Sequence, residues 1–210
     1  MFFSILRVGV IVSVTFSIVS LATLIIRTFS FGKRTTYAKA QGKAGDGIIY
    51  AFGRGMMPWE KESAAKHLPT FTAGIIYHMA IFSAILFVIA LLIPISVSSG
   101  VIQIIRLILI AGLLCGMGLL IKRFLLPYMR GISCLDDFLS NLIVDLFLMT
   151  AFLATLSPDF VSPFFIMAII TFLYIPMGKI RHCFFFFYTR IIFGRYFGRR
   201  GVLPHPSRET

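Results

Sequence analysis

The sequence is poor in charge and in cysteine. Only 13% of its 210 residues are charged, and 8 Asp or Glu stand against 20 Lys or Arg. So few ionic groups cannot clothe a soluble surface when 58% of residues are hydrophobic and mean hydropathy is +0.93, which excludes an ordinary soluble domain. The three cysteines, Cys115, Cys134 and Cys183, lie far apart without a CxxC pair, which argues against a disulfide framework or a zinc site. "GKAGDG" and "FGRGMM" lack the Lys-Ser/Thr of a phosphate loop and any flanking strand, so they give nucleotide binding little support. No catalytic triad or metal-hydrolase motif occurs, and the chain does not read as a stand-alone enzyme. The scarcity of acidic residues leaves a net charge of +12. In a soluble protein that would suggest nucleic acid; here cytoplasmic loops account for it and no nucleic-acid partner is expected.

What is present is five long apolar runs, at about 8–26, 72–95, 101–121, 138–156 and 160–177. Each approaches the roughly 20 residues that a helix needs to cross a bilayer. Alternating-period strands are absent, which speaks against a barrel. The expected fold is an all-α integral membrane protein, one domain of five transmembrane helices. The first run has no small-residue cleavage site and is followed by Arg27, Lys33 and Arg34, so it reads as a retained anchor. The segment 27–71, the loop holding Lys122, Arg123 and Arg130, and the tail 178–210 carry the basic residues, whereas "PISVSSG" and "SPDFVS" have none. The positive-inside rule then places the N-terminus outside and the basic tail in the cytoplasm.

Of four histidines, His67 and His205 fall in the loop and tail and read as exposed. His78 sits about six residues into the second run, roughly 9 Å from its cytoplasmic end, and His182 follows the fifth run as it returns to that side. Neutral imidazoles at one depth on two helices can supply both axial ligands of a haem iron. Gly74 and Gly178 each precede a histidine by four residues, a spacing that on one helix leaves a notch beside the ring. Arg123, Lys179 and Arg181 are near enough in the topology to neutralise propionates. The alternative stays open at this point: His78 bonded to a neighbouring helix and His182 merely interfacial.

"IIYHMAIFSAIL", "KRFLLPYMRGISCLDDFLSNLIVDLFLMTAFLATL" and "FLYIPMGKIRHCFFFFYTR" together make the chain resemble the gamma subunit of respiratory nitrate reductase and related b-type cytochrome subunits. "FGRGMMPWEKESAAKH" is similar to versions in the transmembrane redox complexes of sulfate reducers. The resemblance implies two stacked haems, the cytoplasmic one held at positions matching His78 and His182. The outer pair would fall on Val88 and Phe164, which cannot bind iron, so one bis-histidine haem b is expected. It further implies a bacterial or archaeal cytoplasmic membrane and electron relay between the menaquinone pool, or a quinone-reactive membrane subunit, and a cytoplasmic iron–sulfur subunit. Other membrane subunits, one of them quinone-reactive, and a periplasmic c-type cytochrome complete the expected partners beside the lipid bilayer. A haem-free anchor subunit is the alternative; a small transporter is disfavoured by the lack of repeats and broken helices.

Asp145 lies mid-run, four residues after Asn141, and reads first as a buried hydrogen-bonded group, with a proton or quinone role as the other reading. Asp136 and Asp137 suit a helix N-terminus. Gly112 and Gly116 form a GxxxG packing motif, and Met79, Met149 and Met167 read as filler. Phe184–Phe187 would wrap a haem edge or anchor at the interface.

Overall fold

The computed structural model describes residues 2–31, 38–93, 95 and 97–204; Lys33, Arg34, His205 and Arg208 lie outside the described residues. Among these residues all regular structure is helical: α1 (Phe2–Ser30), α2 (Ala44–Phe52), α3 (Glu62–Lys66), α4 (Leu68–Leu92), α5 (Ser99–Leu125), α6 (Pro127–Gly131), α7 (Leu135–Ala154), α8 (Val161–Tyr174) and α9 (His182–Arg200). Four of them, α1, α4, α5 and α7, are long and apolar enough to cross a membrane, and a fifth span results if Pro158–Tyr174 and Lys179–Arg200 count together. This is the architecture of a multi-pass helical membrane protein. The five apolar runs all become helix, with shifted ends. Pro69 fits the first turn of α4, where its missing N–H costs nothing, so that helix starts at Leu68 and not near residue 72. Cys134 caps α7, and Asp137 accepts a 2.9 Å bond from the Cys134 N–H in return.

The described chain divides into two compact units, Met1–Leu21 with Pro69–Ile180, and Ala22–Leu68 with Arg181–Thr210. In the first unit the helices alternate in direction. Arg7 of α1 reaches the Leu91 carbonyl at the end of α4 (3.4 Å), and Arg106 of α5 donates to the Thr155 carbonyl after α7 (2.6 Å). At the other end Lys122 of α5 meets Thr70 of α4 (2.7 Å), and Asp136 of α7 accepts from Tyr174 of α8. Phe87, Val88, Leu109, Phe147, Leu148, Phe164 and Phe165 fill the centre. Gly112 lets α5 close on Ala80, and Gly116 leaves room for Tyr77 and Asp145, since a Cβ at either glycine would collide with those residues.

The second unit is built on α2 crossing α9. A Cβ on Gly194 would come within 2.5 Å of the Gly47 carbonyl oxygen, and one on Gly198 within 2.7 Å of Gly47 Cα, so only hydrogen fits at the crossing. The Gln41 and Gly42 N–H groups both donate to the Arg199 carbonyl (3.0 and 3.1 Å). Phe52 stacks on Phe187 (6.2 Å between centroids), and Glu60 ties down the segment after α2 by accepting from Tyr50 (2.9 Å) and Arg54 (2.5 Å).

Candidate functional site

His78 is the eleventh residue of α4, so it stands about 15 Å along the helix from Leu68, deeper than the 9 Å expected. Its side chain is exposed, on the outer surface of α4, while its neighbour Tyr77 turns into the core. The His78 Nδ1 lies 2.7 Å from the Gly74 carbonyl oxygen. An oxygen acceptor requires the proton on Nδ1, which assigns the lone pair of the neutral ring to Nε2. That is the tautomer in which a metal-ligating imidazole is oriented by a backbone carbonyl. Nothing lies within 4 Å of where a Cβ on Gly74 would point, so the notch beside this histidine is open.

His182 opens α9 in the second unit and is exposed, as is Arg181 before it. The notch foreseen at Gly178 takes another form. Residues 175–178 form a turn and Lys179–Arg181 a 3-10 segment, so Gly178 and His182 share no α-helical face. The space a Cβ would need at Gly178 is taken by the Tyr174 ring.

Arg123 and Lys179 come together on Asp137, at 3.2 and 2.6 Å. Asp136 beside it accepts from the Lys179 N–H (2.7 Å) and from the Tyr174 hydroxyl. These contacts tie the start of α7 to the end of α8. A groove of about 720 Å³ runs beside them, lined by Leu120, Phe124, Phe138 and Leu142 with Asp136 and Tyr174 as its polar members. The two positions at which the resemblance would require outer haem ligands are packed shut. Val88 and Phe164 are 1% and 0% exposed, and the Phe164 ring sits 5.6 Å from Phe87 and 5.4 Å from Phe147.

Asp145 belongs to a buried hydrogen-bonded trio. It accepts from Tyr77 (2.8 Å) and from the Asn141 amide (2.9 Å), and Asn141 also approaches the Gly116 carbonyl (3.4 Å). Asn141 and Asp145 share a face at i, i+4, which their spacing makes plain. Their third partner, Tyr77, lies 68 positions away from Asp145 and had no sequence signal beyond its place next to His78. Arg106 is a second residue whose partner lies far along the chain. A single arginine in an apolar run is a standing signal for a partner, and here the partner is the end of α7. Among the described residues, no three His, Cys, Asp or Glu side chains converge as a metal site. No protein-family model, curated protein or solved structure matches the chain.

Proposed function

We propose that this chain is a b-type cytochrome subunit of a membrane-bound respiratory complex, in which His78 and His182 would hold the iron of one haem b. The observation that carries the reading is His78 itself: an exposed imidazole on a membrane-length helix, with Nδ1 hydrogen-bonded to Gly74 and open space beside that glycine. An imidazole that donates through one nitrogen presents the other to iron. A bound haem would supply a one-electron couple, which suits relay between the menaquinone pool, or a quinone-reactive membrane subunit, and a cytoplasmic iron–sulfur subunit. His78 and His182 would hold the iron, and Gly74 would let the ring system approach the backbone. Arg181 is exposed and suits a propionate, whereas Arg123 and Lys179 would have to give up contacts with Asp137. The sealed positions Val88 and Phe164 support one haem and not two.

The topology that goes with this reading has the N-terminus outside and the α2, α3 and α9 segments on the cytoplasmic side of a bacterial or archaeal inner membrane, since the basic residues gather there. The polar segment around α3 would receive the iron–sulfur subunit. A haem-free anchor subunit is the second reading, favoured by one observation: Tyr174 fills the space at Gly178. A dithionite-reduced minus oxidised spectrum of the native complex, with pyridine haemochrome quantitation, separates the two. One b haem per chain is expected, lost in His78→Ala and in His182→Ala but kept in His67→Ala. No b-type band, or a band that survives His78→Ala, would leave only the anchor.

A further inference from the structure

The second unit exposes a surface unlike that of a soluble module. α9 carries Arg190, Arg195, Arg199 and Arg200 and no acidic residue. Its apolar side chains Phe184, Phe187, Ile191 and Ile192 are exposed between and before these arginines. Trp59, on the segment that Glu60 ties to α2, is 69% exposed, and Ile49 of α2 is 74% exposed. Two arginines rest on aromatic rings: Arg190 lies over Phe186 (5.5 Å), and Arg200 over Tyr196 (5.2 Å) while donating to its hydroxyl. Apolar surface of this extent marks a covered face, and its mixture with arginine and aromatic rings fits the headgroup layer of a membrane.

Length points the same way. At 1.5 Å per residue α1 is about 43 Å long, beyond the roughly 30 Å of a hydrocarbon core. Its surplus residues, Ala22–Ser30, belong to the second unit. Charge decides which lipid. In residues 38–68 and 181–204 three carboxylates, Asp46, Glu60 and Glu62, stand against ten Lys or Arg, and Glu60 is already held by Arg54 and Tyr50. A cationic face of this kind gains from anionic headgroups and much less from zwitterionic ones.

We infer that the α2–α9 unit is an anionic-lipid recognition surface: Arg195, Arg199 and Arg200 bind phosphate headgroups while Trp59 and the α9 phenylalanines enter the interface beside them. The inference does not depend on haem. It leaves the polar α3 side for a protein partner.

Trp59 is the protein's single tryptophan, which makes the test direct. The full chain is reconstituted in phosphatidylcholine nanodiscs containing the same fraction of brominated phosphatidylglycerol or brominated phosphatidylcholine, and quenching of Trp59 is compared. Stronger quenching by the anionic lipid is expected. That preference should weaken with added salt and disappear in the triple variant Arg195→Gln, Arg199→Gln, Arg200→Gln, with far-UV circular dichroism unchanged. The single reversal Arg195→Glu should reduce it if the triple variant does not fold. Equal quenching by the two lipids, a preference untouched by these changes, or no quenching would each overturn the inference. The haem spectrum is read on the same samples, so a failure here and a failure of the cytochrome reading are told apart.

Discussion

Tyr77 of α4 donates a 2.8 Å hydrogen bond to Asp145 of α7, and both side chains are buried in the apolar bundle. The bond spans two membrane-length helices, and Gly116 of α5 provides the space for it. Asn141 supplies a second donor to the carboxyl at 2.9 Å. In such surroundings a polar group that loses its partner finds no water to replace it.

Asp145→Ala should therefore destabilise the bundle by about 1–3 kcal/mol, because it removes the short acceptor of both groups and leaves the Tyr77 hydroxyl and the Asn141 amide only longer contacts with each other and with the Gly116 carbonyl (3.3–3.4 Å). Tyr77→Phe leaves the Asn141–Asp145 bond in place; it removes the 2.8 Å bond to Asp145 and two longer contacts with Asn141, and should cost less, about 0.6 kcal/mol for the short bond, the average within a membrane. Asp145→Asn, which keeps an acceptor for Tyr77, should fall below the alanine variant. Thermal unfolding in one detergent ranks the three. An alanine variant as stable as the parent would remove the trio from the account of the fold.

The crossing of α2 and α9 rests on hydrogen atoms in place of side chains. Gly194→Val would press a Cβ to 2.5 Å from the Gly47 oxygen and Ile48 Cα, both backbone and unable to step aside. Gly45→Ala is the matched control, since its Cβ would meet nothing within 4 Å. Hydrogen exchange over residues 41–52 should accelerate in Gly194→Val and stay unchanged in Gly45→Ala. Equal protection in the two variants would mean that the crossing is held by something other than close approach.

The helices were legible because an apolar run of membrane length leaves the chain few alternatives. Their ends were less so. Hydropathy falls at Thr70 and Thr72, yet α4 begins at Leu68, where Pro69 is the better marker. That displacement carried the depth assigned to His78 with it. The tail read as a basic extension, but Phe184–Arg200 is helix, and the spacing of Gly194 and Gly198 was its one visible sign. It is the same four-residue spacing as Gly112 and Gly116 in α5, hidden by the arginines around it. Partners across helices could not be read at all: nothing near Asp145 names Tyr77, and nothing near Gly178 announces that Tyr174 will fill its space.

Glu60 makes the second unit sensitive to acid. Its hydrogen bond from Arg54, then that from Tyr50, hold the carboxyl below the ordinary value of 4.5. A carboxyl whose pKa is lower folded than unfolded adds stability above the unfolded value and loses it as pH falls through the folded one. Acidification below about 4.5 should therefore loosen the segment from Tyr50 to Glu60. Trp59 is adjacent and reports it: its emission should change over that window in the parent chain and not in Glu60→Gln. The same transition in both proteins would assign it to other groups.

Gly74 offers the sharpest separation between a ligand site and a bare helix face. A side chain there meets no atom within 4 Å, and the His78 bond goes to the Gly74 carbonyl, which substitution retains. Gly74→Leu should thus leave the bundle folded, with helix propensity even improved by about 1 kcal/mol. If a porphyrin lies in the notch beside His78, the leucine occupies its place. Haem content per chain should then drop while the melting temperature of haem-free protein holds or rises, and Gly74→Ala should fall between. Because Gly118 of α5 is equally open, Gly118→Leu is the control and should leave haem content unchanged. Full haem content in Gly74→Leu would show that the open space beside His78 is ordinary lipid-facing surface.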